Sequence, residues 1–274
     1  MIRGFLLVIL AMAIVLPGCR RGPKEYKQNT PEAVIQSMSE MVKDGNTRRL
    51  HELFYAEDED MRLALRRFGR MCGRLAELAE TIGETYPEEV EELRKQTEEA
   101  AARGEATNIL SRFTQSAFQN RRSRNQQRSN PGDAFNLAFR QLLTNPYASF
   151  EKASDHLTTA TVSDEYVGLL WDGKPILPPF GIMMRQDVDG KWYIVLPLDL
   201  PILTKYRPRT KEQWEIAGYL MRAWENAAVD LKAKIEAGDL RNLDEVASEA
   251  GAMILPPTMM IGIAYSSQFK TDGD

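Results

Sequence analysis

The sequence predicts a helix-rich α+β fold, in which a small curved antiparallel sheet of about three or four strands packs on helices. Apolar residues recur at helical spacing through much of residues 30–145 and again after residue 210. Between residues 157 and 198, β-branched and aromatic residues are concentrated and Gly and Pro separate them, which is typical of short strands and turns. The chain has only two cysteines, so a hydrophobic core rather than a disulfide framework must stabilise it.

The first eighteen residues have the features of an export signal. Arg3 and the amino terminus form a short positive region, and an unbroken apolar run of twelve residues extends from Phe5 to Leu16. Twelve residues suit the core of a signal peptide, whereas a membrane-spanning helix needs about 20 apolar residues. Pro17 and Gly18 break any helix immediately before Cys19.

The tetrad at positions 16–19, Leu-Pro-Gly-Cys, resembles the lipobox of bacterial lipoproteins, in which Leu, a small residue and Gly or Ala precede the lipidated Cys. The resemblance implies cleavage between Gly18 and Cys19 and a thioether-linked lipid, with acyl chains such as palmitate, on Cys19. Pro17 stands where that family usually has Ala, Ser or Thr. Each buried CH₂ contributes about 0.8 kcal/mol, so several acyl chains anchor a protein stably. A plain membrane anchor, or a secretory signal with an incidental Cys, is the alternative.

These features predict a lipid-anchored protein of the cell envelope that faces the periplasm. Arg20 follows Cys19 where an Asp would favour inner-membrane retention in some bacteria, so the outer membrane is favoured. Without residues 1–18, which contain one basic residue, 34 basic and 39 acidic side chains remain, a net charge of about −5. Export and negative charge both argue against nucleic-acid binding. The expected partners are the membrane, through the lipid on Cys19, and an envelope protein.

The first half of the mature chain is predicted to be helical. Residues 19–29 are polar and are expected to form a tether. Thr30-Pro31-Glu32 is a strong helix start, with Thr as N-cap and Pro in the first turn. Four acids at 57–60 open a long amphipathic helix, and Cys72 lies on its apolar stripe, where a small buried hydrophobe is expected.

Residues 56–145 are predicted to form a helical insertion. Pro87 starts one of its helices, and Asp133 caps another that ends at Asn145-Pro146. Segment 121–128 contains four arginines, and its role is open. The absence of aromatic residues favours a solvated loop, or a loop that pairs with the acidic helix before it. The alternative is a contact to lipid headgroups or cell-wall polymer.

The predicted α+β core comprises residues 30–55 and 146–203. Residues 157–171 are expected to form a strand broken near Ser163-Asp164, and Asp172-Gly173 a turn. Asp189-Gly190 is expected to be a tight hairpin turn that joins a strand at 182–184 to one that begins near Lys191.

Residues 204–274 are predicted to form a C-terminal helical segment. A long helix from Thr210 to Ala237 precedes a second that is expected to end at Pro256-Pro257. The apolar stretch 258–267 is short and is expected to pack on the domain. Side chains of the helical stripes are expected in the core, among them Met38, Met41, Trp214 and Trp224.

Two segments resemble the nuclear-transport-factor-2-like superfamily. TPEAVIQSMSEMVKDGNTRRLHELF resembles the opening helices of its exported members, and DVDGKWYIV resembles its late strands. The resemblance covers residues 29–55 and about 157–200. It implies a cone-shaped α+β fold that often encloses a pocket, with the intervening helices as insertions. Members include isomerases, dehydratases and assembly scaffolds, so the fold alone does not decide the function.

No motif in the sequence indicates a catalytic, metal or cofactor site. His51 and His156 have no other ligand-type residue at metal-motif spacing, and a surface or corner role is expected for His51. Asp187 and Asp189 belong to a turn rather than a calcium loop, because Lys-Trp follows. Isomerase-type relatives use a pocket carboxylate with a tyrosine or acid, and the residues of that kind here are Asp155, Asp164, Glu165 and Tyr166. None of them matches a family motif, so none is assigned.

The leading hypothesis is therefore a lipid-anchored cell-envelope protein with a non-enzymatic binding or scaffolding role. The alternative is a small-molecule binder, or an enzyme of the isomerase or dehydratase type, that uses a cone-shaped pocket. A pocket lined by a buried carboxylate and a tyrosine would favour the alternative, and a filled core would favour the binding role.

Overall fold

The computed structural model of the protein describes residues 24–102, 140–147, 150, 153–176, 181–199 and 204–268. Within these ranges the chain has a helix-rich α+β fold with a small antiparallel sheet, which confirms the predicted class. The predicted lipidation and cleavage residues, Cys19 and Gly18, lie outside the described residues. The same holds for the Arg-rich segment 121–128 and most of the helix predicted from Asp133.

Except for the last one, the predicted helices that the structure describes begin and end close to the predicted positions. They are α1 (Pro31–Lys43), α2 (Glu59–Thr85), α3 (Pro87–Ala102), the one-turn α4 (Ala153–His156), α5 (Lys211–Glu236) and α6 (Leu243–Ser267), with 3₁₀ helices at Thr47–Leu53 and Thr204–Tyr206. The Thr30 side chain accepts a hydrogen bond from the Ala33 amide, and Pro31 is the first helical residue of α1, as predicted. Thr210 caps α5 in the same way, and its own amide donates a reciprocal bond to the Gln213 side chain.

The described sheet has five strands rather than three or four. They are β1 (Leu157–Thr161), β2 (Tyr166–Trp171), β3 (Lys174–Pro175), β4 (Ile182–Gln186) and β5 (Trp192–Val195), in the spatial order β1-β2-β4-β5 with β3 paired to β2. The additional strand β3 follows the predicted turn at Asp172-Gly173, whose two residues have φ of +48° and +75°. Positive φ at both positions gives the tight hairpin turn that pairs Trp171 with Lys174.

One hydrophobic core fills the space between α1 and the sheet. Side chains of α1 meet the inward-facing side chains of β2, β4 and β5, and the first 3₁₀ helix closes one end. The fully or nearly fully buried members include Val34, Met38, Met41, Leu53, Val167, Leu169, Met184 and Ile194. Successive residues of a strand face opposite sides, so only one face of the sheet contributes to this core.

A second core lies among α2, α5 and α6. Leu78 and Ile82 of α2 pack with Leu231 of α5 and with Val246 of α6, all at or below 1% exposure. The long helix α2 supplies both cores, because Cys72 belongs to the first and Leu78 to the second. Of the two tryptophans expected in the core, Trp224 packs against this second core and is half-buried, and Trp214 is half-buried as well.

The predicted tether at 19–29 is shorter than expected, because residues 24–28 pack against the domain. Tyr26 is buried in the first core, and its hydroxyl donates a hydrogen bond to Asp44. The Trp192 amide donates to the Gln28 carbonyl over 2.7 Å, and the Gln28 side chain donates to the carbonyl of Glu52. These long-range bonds fix the segment, so any free tether ends before Lys24.

Helix α6 does not end at Pro256-Pro257 as predicted but continues to Ser267. Each proline removes one backbone donor, yet α5 supports the helix beyond them, since the Trp224 indole donates to the Thr258 hydroxyl. The stretch 258–267 was also expected to pack on the domain. One side of it does, since Thr258 and Tyr265 bond to other parts of the fold. On the other side Met259, Met260 and Ile263 are between 65% and 72% exposed.

Cys72 is a buried structural residue, as predicted. It is 4% exposed, and burial raises the pKa of its thiol to about 11. Its carbonyl accepts a hydrogen bond of 2.6 Å from the Tyr147 hydroxyl and a longer one from Thr47. The thiol therefore lacks the exposure and the thiolate character that a reactive cysteine requires.

Candidate binding cleft

An open cleft of about 250 Å³ lies where three elements meet at the edge of the first core. The first 3₁₀ helix and the segment after it form one side, the first turns of α2 form a second, and the β4–β5 hairpin forms the third. Its lining includes Tyr55, Arg62, Arg66, Asp187 and Tyr193. The residues are aromatic and charged, which distinguishes the cleft from the apolar core beneath it.

Backbone pairing fixes Tyr55 at the floor of the cleft. Phe54 forms a parallel bridge with Ile194 of β5, and the Tyr55 amide donates to the Ile194 carbonyl over 2.9 Å. Phe54 turns inward, where its ring meets that of Phe68 edge-on at 5.9 Å. Tyr55 lines the cleft and contacts the ring of Tyr193, with centroids 6.5 Å apart.

The outer face of the sheet brings an arginine between tyrosines. Arg185 pairs across the strands with Tyr166 on one side and with Tyr193 on the other. Its guanidinium lies 4.6 Å from the centre of the Tyr55 ring and 5.9 Å from that of Tyr166. The four side chains therefore form one continuous group, which we call the Tyr–Arg cluster.

The Arg185 guanidinium is held by ring faces rather than by an acid. Its Nε is buried and has no hydrogen-bond partner among the described residues. Contact with two rings contributes about 0.5–1 kcal/mol at an exposed site and more where water is excluded. A cation held in this way retains donor capacity for a carbonyl or carboxylate of a bound molecule.

Two charged residues that line the cleft, Glu52 and Arg62, are paired within the protein. Arg49 binds both carboxylate oxygens of Glu52 at 2.8 and 2.7 Å, and Arg62 lies 2.6 Å from Glu59. The Tyr193 hydroxyl donates to Asp189 over 2.8 Å, and burial together with this carboxylate raises the pKa of Tyr193 above its usual range. Tyr193 is therefore protonated at neutral pH, and its hydroxyl hydrogen is directed towards Asp189.

The acids considered for isomerase-type chemistry do not assemble. Asp155, Asp164 and Glu165 are exposed, and none lines the cleft. Tyr166 belongs to the Tyr–Arg cluster, beside Arg185 rather than beside a buried carboxylate. The buried polar side chains of the described residues are Ser, Thr and Gln, without an acid among them.

The two histidines have local structural partners. His51 lies in the first 3₁₀ helix, where its Nδ1 is 2.9 Å from the Arg48 carbonyl oxygen, in the corner position that was expected. His156 stacks on Trp171 at 5.0 Å and bonds to Asp172 over 2.8 Å. Within the described ranges, no group of three or more His, Cys, Asp or Glu side chains is placed to hold a metal ion.

Sequence reasoning missed the Tyr–Arg cluster because the cluster depends on strand register. The members are far apart in the chain, and each is unremarkable alone. The turn at Asp189-Gly190 carried the usable signal, since the size of that turn decides which residue of β5 lies opposite Arg185.

No protein-family model, curated protein or solved structure matches this chain.

Proposed function

We propose that the protein is a lipid-anchored cell-envelope protein with a non-enzymatic binding or scaffolding role. The lipid on Cys19 holds it at a membrane, and the domain that starts near Lys24 faces the periplasm. Six residues separate Cys19 from Tyr26, which is buried in the first core, so the domain works close to the membrane surface.

The filled interior between α1 and the sheet is the observation that supports binding over catalysis. Met41 and Met184 are at most 1% exposed, and apolar side chains occupy the space in which a cone-shaped pocket would hold a substrate. Isomerase-type chemistry needs a pocket carboxylate as base, and the described residues bury none. The alternative of an enzyme with an enclosed pocket therefore has less support.

The composition of the cleft favours a protein partner. Tyrosine and arginine are enriched among the residues that dominate binding energy at protein interfaces. Two tyrosines and two arginines line the open cleft: Tyr55, Tyr193, Arg62 and Arg66. Arg185 lies beside them, with its guanidinium 4.6 Å from the centre of the Tyr55 ring. We therefore place the contact with an envelope protein at this cleft.

Lipid anchoring is tested by growth with a palmitate analogue, followed by membrane fractionation of the wild type and of Cys19→Ser. The wild type is expected to carry the label and to collect with the outer membrane. Cys19→Ser is expected to carry no label and to retain its uncleaved signal. A Cys19→Ser variant that is still acylated, or a wild type without label, contradicts the anchor.

The contact site is tested by photo-crosslinking in intact cells. A photoreactive phenylalanine replaces Arg66 in the cleft or, as the matched control, Arg94 on the exposed face of α3. We expect a discrete adduct from position 66, absent at position 94 and reduced at least tenfold when Tyr193→Ala is added. Equal adducts from both positions, or none from position 66, would exclude the cleft as the contact site.

A further inference from the structure

The last helix has two halves with opposite surroundings. In its first half Leu243, Val246, Ala247, Ala250 and Ile254 are buried in the second core, at spacings of three, one, three and four residues. In the second half Leu255, Met259, Met260 and Ile263 are 43%, 65%, 72% and 68% exposed. The helix is therefore anchored at one end and presents large apolar side chains to the surroundings at the other.

We propose that the exposed face of α6, formed by Leu255, Met259, Met260 and Ile263, inserts into the surface of a lipid bilayer. This contact goes beyond the proposed function, because it is a second membrane attachment independent of the lipid on Cys19. It would fix the orientation of the domain on the membrane, which a flexible lipid tether alone does not do.

The charge pattern identifies hydrocarbon as the partner. The stretch Ala250–Phe269 is twenty residues long and contains no Asp, Glu, Lys or Arg. The chain as a whole is 27% charged, so this absence is a local feature. A protein partner is normally met by a polar rim around an apolar centre, whereas lipid tails offer no charge to complement.

The low burial of α6 argues against a helix that is apolar because it lies wholly in a core. α6 is long and apolar enough to cross a membrane by length and composition, with a mean hydropathy of 1.3 over its most apolar window. A core helix of a water-soluble protein with this composition is mostly buried, yet only 22% of the window is buried here. A helix that lies at the far end of the chain from the signal peptide is also not an export signal.

The packing of the second half sets the depth of insertion. One side of it stays on the protein, because the Trp224 indole donates to the Thr258 hydroxyl and Ile261 and Tyr265 are half-buried. The helix therefore lies along the bilayer surface, and its exposed face enters one leaflet to a depth of about 5–10 Å. Tyr206 and Tyr219 are also exposed, and the Tyr265 hydroxyl donates to the Tyr206 carbonyl over 2.6 Å. Tyrosines are enriched at the membrane–water interface, where their ring and hydroxyl meet different surroundings.

The experiment places an environment-sensitive fluorophore on the full lipidated protein in vesicles. Ile263→Cys and Met259→Cys provide exposed thiols, whereas Cys72 is buried and unreactive and Cys19 is acylated. Val188→Cys at the tip of the β4–β5 hairpin is the matched control, since Val188 is fully exposed but lies on the sheet. The vesicles contain phosphatidylcholine and phosphatidylglycerol at a 3:1 ratio, with nitroxide groups at a shallow or a deep acyl position.

The fluorophores at positions 263 and 259 are expected to shift to shorter wavelength and to be quenched severalfold by the shallow nitroxide. The control at position 188 is expected to remain open to aqueous iodide.

Vesicle-bound protein whose 263 label is as open to iodide as the control overturns the inference and leaves the lipid anchor intact. Protection from iodide without nitroxide quenching also overturns it, because a second copy or residues 103–139 would then cover the face. Stronger quenching by the deep nitroxide overturns the single-leaflet depth, and protein that does not float with vesicles overturns both membrane contacts.

Discussion

Gly69 lies in α2 where the first 3₁₀ helix crosses it at close range. A Cβ atom at this position would overlap the Arg48 carbonyl oxygen and would lie 2.5 Å from the His51 Nδ1. The backbone oxygen cannot move without shifting the 3₁₀ helix, which carries one side of the cleft. We expect Gly69→Ala to lower the free energy of unfolding by about 1–3 kcal/mol, as overpacking typically does.

Gly83 of the same helix is the matched control for that substitution. A Cβ at Gly83 meets no atom within 4 Å, so Gly83→Ala is expected to stabilise the protein by about 0.5–1 kcal/mol through helix propensity alone. Urea denaturation of both variants measures the difference. Equal stability of Gly69→Ala and Gly83→Ala would show that the 3₁₀ helix does not lie close enough to Gly69 to clash with a Cβ atom.

The β4–β5 turn is one residue longer than a two-residue hairpin turn, and this difference explains why the candidate site was harder to predict than the fold. A two-residue turn at Asp189-Gly190 would pair Val188 with Lys191 and would place Ile194 opposite Arg185. In the structure the loop has three residues, Asp187 bonds to Lys191, and Tyr193 lies opposite Arg185. Since a shift of one residue exchanges the two faces of a strand, sequence patterns located the hairpin but not the Tyr–Arg cluster.

Helices are the elements that the sequence predicted best, because their caps and apolar stripes are local. The starts of α1, α2 and α5 follow from Thr30, the acids at 57–60 and Thr210. The end of α6 could not be predicted in this way. Pro256-Pro257 is a local stop signal, and the support that overrides it comes from Trp224 on a neighbouring helix.

The capping box at Thr210 is expected to stabilise the start of helix α5. The Thr210 hydroxyl accepts from the Gln213 amide, and the Gln213 side chain accepts from the Thr210 amide. We expect Thr210→Ala to cost about 1 kcal/mol of stability, because one amide of the first turn loses its acceptor. Thr210→Ser keeps the hydroxyl and is expected to retain most of that stability. Equal losses for Ala and Ser in thermal or urea unfolding would show that the cap contributes nothing.

Helix α2 connects the two hydrophobic cores, because it contributes buried side chains to both of them. Cys72 lies in the first core and Leu75, less than one turn later, lies in the second. Loss of either core would leave one face of a continuous helix exposed, so the two are expected to unfold together. This arrangement also links the cleft, at the start of α2, to α6 and its exposed apolar face.

The pH dependence of stability is a property of the whole molecule, because the groups with shifted pKa values are distributed across the fold. Hydrogen bonds from Lys24 and Tyr26 lower the pKa of Asp44, and a hydrogen bond from Thr159 lowers the pKa of Glu32. A carboxyl whose pKa is lower in the folded state binds its proton more weakly there than in the unfolded chain. Its contribution is therefore present above the unfolded pKa of about 4 and is lost as the pH falls through the folded value.

On the alkaline side the sign reverses, since folding raises the pKa of the groups concerned. Burial raises the pKa of Tyr265 to about 12, and the Asp44 and Glu40 carboxylates raise the pKa of Lys24. The unfolded chain releases these protons first, so stability falls as the pH rises above about 10.

Urea midpoints measured from pH 3 to pH 11 should show a plateau between about pH 5 and pH 9 and a decline on both sides. Asp44→Asn together with Glu32→Gln should flatten the acid limb. The alkaline decline should become shallower, because Lys24 loses the Asp44 carboxylate, while the part that comes from Tyr265 should remain. An acid limb that is unchanged in this double variant would mean that the bonds from Lys24, Tyr26 and Thr159 do not couple these carboxylates to folding.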